Sequence, residues 1–282
     1  MRLLLSLLVS FAALSSAIAA PFPEGLLRPA AAPKPSYSEI PIESNHHVRA
    51  WIRYFTQDDR ERFDRFMERG ARYRILVQKI LAENGVPEEL YYLAMIESGY
   101  ASRARSSAKA VGIWQFMAPT AREYGLRVDK EVDERLDIRR STKAAARYLK
   151  GLEREFGSWY LAMAAYNGGL GRVRTAIRKH GTRDFWTLAR RRALPAETIQ
   201  YIPKFQAAMH IARNPAAYGF ERKTHYKFPT VRRVRVQSRL PLKVVARKQR
   251  VPIASLQALN PHLLKGVTPP SRRGGYELWV PL

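Results

Sequence analysis

Between about Asn45 and Met209, apolar side chains recur every three or four residues. Val48, Trp51, Ile52 and Phe55 share one helical face, and Phe63, Phe66 and Met67 continue the stripe. Tyr73, Leu76, Val77, Ile80 and Leu81 form another, stopped by Asn84-Gly85, and Pro87 restarts the chain at a first-turn position. The spacing predicts further helices from about Thr142 to Phe156, ended by Gly157, and from about Trp159 to Tyr166, broken by Asn167-Gly168-Gly169. Period-two alternation is nearly absent before residue 220, so this part reads as all-α. After Gly219 the texture changes. Val231, Val234 and Val236 suggest a strand, Leu242 to Lys248 and Ile253 to Leu259 two short helices, and Tyr276 to Val280 a closing strand.

The first residues follow neither pattern. Met1-Arg2 is a short basic start, Leu3 to Leu14 is apolar apart from Ser6 and Ser10, and Ala17-Ile18-Ala19 is a small-x-small cleavage signal. This reads as an export leader over residues 1–19. An uncleaved anchor is the other reading, but the run is shorter than the ~20 residues that span a bilayer. Residues 20–44, rich in Pro and Ala, read as an extended linker. Residues 45–219 then form the helical domain and 220–282 a small basic module.

Charge and cysteine content narrow the function. The 282 residues hold 49 Lys+Arg and 24 Asp+Glu, a net charge of +25, which calls for polyanionic surroundings. Nucleic acid, an acidic wall polymer and an anionic membrane face all fit that number. Export argues against nucleic acid. Residues 221–282 hold 14 Lys+Arg against 2 Asp+Glu, so the charge is densest in the tail. The absence of Cys excludes disulfides, thiolate nucleophiles, thiolate zinc sites and an anchor on an N-terminal cysteine, so a lipoprotein is not expected. The six histidines (His46, His47, His180, His210, His225 and His262) show no metal-ligand spacing, and no glycine-rich phosphate loop occurs. We expect no metal and no cofactor.

One carboxylate stands out. Leu90, Leu93 and Ala94 share a helix face, and Glu97 continues their i, i+3, i+4, i+7 series just before Ser98-Gly99. Burial and the negative end of the helix dipole both disfavour its ionisation. A glutamic acid held protonated near neutral pH suits general acid catalysis. An ordinary solvated helix-end glutamate is the other reading of this position.

Four blocks follow in order: Glu97-Ser98; Gly112-Ile113-Trp114-Gln115-Phe116-Met117, after Ser106; Ala165-Tyr166-Asn167; and Pro195-Ala196-Glu197-Thr198 with Tyr201. With them the sequence resembles the lysozyme-like lytic murein transglycosylases, most closely the D-type membrane-bound ones, over about residues 45–215. Ile113 replaces the family's Leu. The resemblance implies a mainly α, lysozyme-like catalytic domain that acts on peptidoglycan glycan strands. It makes Glu97 the single acid/base. It has Ser106 and Gln115 hold the N-acetyl and neighbouring polar groups, and Met117 line the cleft. Tyr166 and Asn167 would lie on the cleft floor, with Glu197 and Tyr201 bracing the site from the far side. Trp114, Phe116 and Met117 also read as plain core, Gln115 as a satisfied buried amide, and Ser106 as a loop serine.

The implied chemistry is cleavage of the β-1,4 bond after N-acetylmuramic acid with closure to a 1,6-anhydro end. A muramidase using water, with Glu197 as second carboxylate, and a non-catalytic wall-binding scaffold are the alternatives. In the tail, Ile253 to Pro261, Gly266 to Pro270 and Tyr276 to Pro281 resemble a LysM-type module, although Arg239-Leu240-Pro241-Leu242 stands where its opening Gly-Asp-Thr-Leu is expected. The family implies the periplasm as location. The tail reads either as an electrostatic attachment to anionic wall or membrane, or as a strap packed on the catalytic domain.

Overall fold

The computed structural model describes residues 40–224, 228–236, 239–270 and 275–282. The expected leader, the linker as far as residue 39, and His225 lie outside the described residues. The protein is mainly α-helical with a small α+β unit at its C-terminus.

Helix α1 (His46–Arg53) is capped by Asn45, whose side chain accepts from the Val48 N–H, and runs into a π-helical turn over Tyr54–Asp58. Helices α2 (Arg60–Ala71) and α3 (Arg74–Glu83) follow. Pro87 caps a single 3-10 turn, Glu88–Leu90, so helix α4 (Tyr91–Ser98) begins later than the hydrophobic pattern suggests. Every α4 residue from Tyr91 to Ile96 is buried. A helix buried on all sides lies at the centre of a domain, and α4 is that centre here. Around it lie α5 (Ala118–Glu123), α6 (Ile138–Phe156), α7 (Trp159–Gly168), α8 (Leu170–His180), α9 (Phe185–Arg190) and α10 (Ala196–Arg213).

Helix α7 runs two residues past its expected end at Tyr166, to Gly168, and two further boundaries differ from the sequence expectation. Helix α6 starts at Ile138 rather than Thr142, because the Asp137 carboxylate accepts from the N–H groups of Arg139 and Arg140 at 2.9 and 3.0 Å. Such a cap is worth about 1 kcal/mol. Residues 40–44, expected as the end of the linker, lie on the helices. Ile40 is buried, and the Pro41 carbonyl accepts from the Tyr160 hydroxyl and from Gln206 Nε2 at 2.8 and 2.7 Å.

The C-terminal unit is strand β1 (Val231–Val236), helices α11 (Leu242–Gln249) and α12 (Ile253–Leu259), and strand β2 (Tyr276–Pro281). The strands pair antiparallel, with Val231 opposite Pro281 and Val236 opposite Tyr276. Leu242, Val245, Leu256, Leu278 and Val280 form its core, and Val132 of the helical domain completes it.

That shared residue marks a polar clamp. The Trp279 indole N–H and the Arg140 guanidinium both donate to Asp137 Oδ2, the former at 2.7 Å and the latter at 2.5 Å. Arg140 also donates to the Glu277 carbonyl, and the Tyr276 hydroxyl donates to Glu134, each at 2.7 Å. The Asp133 N–H donates to the His262 carbonyl and the Leu264 N–H to the Glu131 carbonyl. Burial pushes the His262 imidazole down to about 4 despite the Asp137 carboxylate, so it sits neutral in the contact. The structure thus shows the tail packed on the helical domain, one of the two arrangements expected for it.

Candidate active site

Glu97 is the penultimate residue of α4, and the helix ends there because Gly99 adopts φ +54 as its C-cap. A Cβ on Gly99 would stand 2.1 Å from the Phe66 ring, so only glycine fits. The Glu97 side chain is half-buried. From α10, the Tyr201 hydroxyl donates to Glu97 Oε1. Lys204 lies one turn further along α10, with its ammonium 3.5 Å from the Ile96 carbonyl and over the Trp51 ring.

Burial raises the Glu97 carboxyl from its ordinary range to about 7. The Tyr201 hydrogen bond and the Lys204 charge pull it down, and Glu197 pushes it up. Burial in turn lowers the Lys204 ammonium, which Glu97 partly counters. A carboxyl near 7 is protonated in about half the molecules at neutral pH and can both give and take a proton. Lys204 closes the Tyr201-Ile202-Pro203-Lys204 run in the sequence, which assigned it no role. Its i, i+3 spacing from Tyr201 was the available signal.

The loop from Gly99 to Met117 is pinned by hydrogen bonds within it and from Ser98 and Arg135. Ser98 Oγ, beside Glu97, donates to the Ile113 carbonyl at 2.9 Å. Gly112 holds φ +81 with its Cα against the Arg135 carbonyl, which a Cβ would meet at 2.1 Å. Gln115 sits in the left-handed region, φ +48, with its Nε2 donating to the Gly112 carbonyl at 2.7 Å. A non-glycine residue held there is strained, which is common in binding sites. Ser106 Oγ accepts from the Ala110 N–H at 3.0 Å and closes a turn in this loop. Met117 is half-buried at the N-cap of α5. Trp114 is fully buried core, and its indole N–H donates to Thr142 Oγ1 at 3.0 Å.

Arg135 clasps the loop from behind. Its guanidinium donates to the carbonyls of Lys109 and Phe116 at 3.1 and 3.0 Å, and to both oxygens of buried Asp133 at 2.8 and 2.9 Å. A buried pair with every arm engaged is tolerable in the interior.

The remaining candidate residues come from α7 and α10. The Tyr166 hydroxyl donates to the Trp114 carbonyl at 2.6 Å, joining α7 to the loop. Asn167 Oδ1 accepts from the Thr198 hydroxyl at 2.9 Å, and Asn167 Nδ2 reaches Glu197 Oε1 at 3.4 Å. Glu197 is exposed in the first turn of α10. The hydrogen bonds join Glu97 to Tyr201, Tyr166 to the Gln115 loop, and Asn167 to Glu197. Among the described residues no group of three or more His, Asp or Glu is placed to hold a metal ion. No described helix is long and apolar enough to cross a membrane.

Residues 75–189 match the family model described as Transglycosylase SLT domain, and residues 230–282 match the model described as Lytic transglycosylase MltD, LysM-like domain. Residues 75–189 thus belong to the transglycosylase SLT family and residues 230–282 to the MltD LysM-like family. Glu97, Ser106, Gln115, Met117, Tyr166 and Asn167 fall inside the first match, while Glu197 and Tyr201 lie beyond it and join the site through α10. The tail match agrees with the LysM-like reading of residues 253–281.

Membrane-bound lytic murein transglycosylase D of Escherichia coli (strain K12) is 35% identical over 197 residues, covering 68% of this chain and 43% of that protein. The chain therefore spans less than half the length of that relative. Peptidoglycan transglycosylase gp16 of Escherichia phage T7 is 39% identical over 104 residues, covering 36% of this chain and 8% of that protein. Among solved structures, the 70 kDa soluble lytic transglycosylase of Escherichia coli aligns at TM-score 0.42 with 23% identity, over 52% of this chain and 24% of that one. An inactive mutant of lytic transglycosylase Slt from Pseudomonas aeruginosa aligns at TM-score 0.44 with 24% identity, over 51% of this chain and 24% of that one.

Proposed function

We propose that this protein is a peptidoglycan lytic transglycosylase that cuts the β-1,4 bond between N-acetylmuramic acid and N-acetylglucosamine without water. The observation that carries the reading is the Glu97 carboxyl raised to about 7 at the end of the buried helix α4, with Tyr201 donating to it. Protonated Glu97 gives its proton to the glycosidic oxygen as the C1–O bond breaks. The substrate's N-acetyl oxygen stabilises the electron-poor C1. Glu97, now ionised, takes the proton from the C6 hydroxyl, whose oxygen bonds to C1 and closes the 1,6-anhydro ring. Glu97 ends protonated, as it began. An intramolecular hydroxyl has a very large effective concentration, which favours it over water in a sheltered cleft.

Hydrolytic glycosidases generally set two carboxylates at a fixed separation. Glu197 is exposed and within reach of Asn167, which supports a bracing role rather than that of a second catalytic group. On this reading Ser106, Gln115 and Met117 line the cleft on the loop side, and Tyr166 and Asn167 form its floor. The leader pattern of residues 1–19 supports export and, with the substrate, a periplasmic location. The mature chain would comprise a connecting segment, a catalytic domain over 45–219 and a basic module over 220–282. The 14 Lys+Arg against 2 Asp+Glu in residues 221–282 support attraction of the module to acidic wall. Digestion of purified peptidoglycan by wild type and by Glu97→Gln tests the reading. Soluble muropeptides from the first and none from the second are expected, and equal release by both would reject it.

A further inference from the structure

Away from Glu97, α8 and the turn between α9 and α10 line an open surface cavity of about 530 Å³. Ten residues line it, and five of them are Arg172, Lys179, His180, Arg191 and Arg192, with no acid in the wall. Nearby cations that face elsewhere do find acids: Arg174 donates to Glu155 at 2.7 Å, and Arg190 lies 3.9 Å from Asp184. Among the described residues, none of the five in the wall pairs with a carboxylate.

Helix stability does not explain the set. Lys179 and His180 suit the C-terminal turn of α8, but Arg172 stands in its first turn, where the helix dipole disfavours a cation and no acidic residue is present. Arg192 is held in the left-handed region, φ +51. Arg172 and Arg191 each donate one arm to a carbonyl, of Gly168 and His180 respectively, both at 3.0 Å, which fixes the guanidinium groups at the cavity.

The cavity lies close along the chain to residues of the candidate site. Gly171 in its wall is four residues from Asn167, a span of at most about 14 Å of extended chain. Pro195, also in the wall, caps the helix that carries Glu197 and Tyr201. Sugars of the glycan are neutral, whereas the peptide branching from each muramic acid carries fixed carboxylates. Guanidinium groups bind carboxylates in paired, directional hydrogen bonds.

We propose that this basic cavity receives the carboxylates of the acidic stem peptide attached to the glycan, so that the substrate site extends past the sugar cleft. The proposal rests on the reading of the protein as a peptidoglycan enzyme. Its test uses binding, which survives even if the cleavage chemistry is wrong. The full mature chain carrying Glu97→Gln is titrated with a fluorescein-labelled muramyl pentapeptide and with the same peptide after amidation of its carboxylates. Tighter binding of the free acid by ten-fold or more is expected, with loss of that difference in Arg172→Gln/Arg192→Gln. Wall residues 172 and 192 are exposed, so these changes leave the core intact. Equal binding of the acid and the amide would overturn the proposal. So would competition by inorganic phosphate or anionic lipid vesicles well beyond that of chloride at equal ionic strength, because the cavity would then select phosphate. In parallel, the double variant of the otherwise wild-type chain should lose kcat/KM on peptide-bearing strands but not on peptide-stripped strands. Equal loss on both would also overturn it, and failure of wild type to cleave either would instead reject the function proposed above.

Discussion

Replacing Tyr201 with Phe removes one hydroxyl and keeps the buried ring in place. That hydroxyl donates to Glu97 Oε1 and favours the ionised carboxylate, opposing the burial that raises the group to about 7. A hydrogen bond to a charged group is worth about 1.5–3 kcal/mol. At about 1.4 kcal/mol per unit, its loss moves the Glu97 carboxyl up by roughly one to two units. The first chemical step needs protonated Glu97, so activity falls as pH rises through its value. The basic limb of kcat/KM for muropeptide release, near 7 in the wild type, should therefore move to roughly 8–9 in Tyr201→Phe. The assay is a pH series on soluble glycan fragments, with circular dichroism to confirm folding. A folded variant whose basic limb stays near 7 would refute the coupling of Tyr201 to Glu97.

Lys204→Met should shift the same limb upward too, because the ammonium also favours the ionised form; an unmoved limb in the same pH series would reject it. Glu97→Gln should stabilise the fold only at higher pH. The native carboxyl titrates near 7 and the unfolded one near 4.5, so wild-type stability is full below about 4.5 and is lost as pH rises to 7, by about 2–3 kcal/mol. Melting temperatures of the two proteins should agree at pH 4 and diverge by several degrees at pH 8. Gly99→Ala combines a left-handed backbone with a Cβ 2.1 Å from Phe66, and should cost more than about 2 kcal/mol in denaturant unfolding. Trp279→Phe breaks the indole bond to Asp137, the cap of α6. It should lower kcat on short soluble glycans, where wall attachment plays no part, and an unchanged kcat would limit the clamp to a structural role.

Short local blocks were more legible in the sequence than the long-range contacts that frame them. The blocks at Glu97, Gln115, Asn167 and Glu197 are local, and each marks a helix end or loop that a short motif can specify. The contacts of Glu97 with Tyr201 and of Tyr166 with the Trp114 carbonyl join these blocks across the chain. The tail's strand–helix–helix–strand order was legible for the same reason. Long-range polar packing was not. Arg139, Arg140 and Ser141 carry no apolar period, which hid the first turn of α6. Yet Arg140 is held by Asp137 and by the Glu277 carbonyl, a residue far along the chain. The Asp133–Arg135 pair behind the Gln115 loop is invisible to periodicity, because a charge run in sequence gives no sign of burial. The strap at Ile40 and Pro41 was masked by its continuity with a Pro/Ala-rich stretch. Helix α4 looked amphipathic from one stripe, while the structure buries it on every side.

The central claim is that C1 is captured by the substrate's own C6 oxygen and not by water. The direct measurement is the mass spectrum of muropeptides released from peptidoglycan in water enriched in oxygen-18. The account predicts anhydro-ended products, lighter by one water than reducing-end muropeptides and free of the heavy isotope. Reducing-end products carrying oxygen-18 at C1 would contradict it.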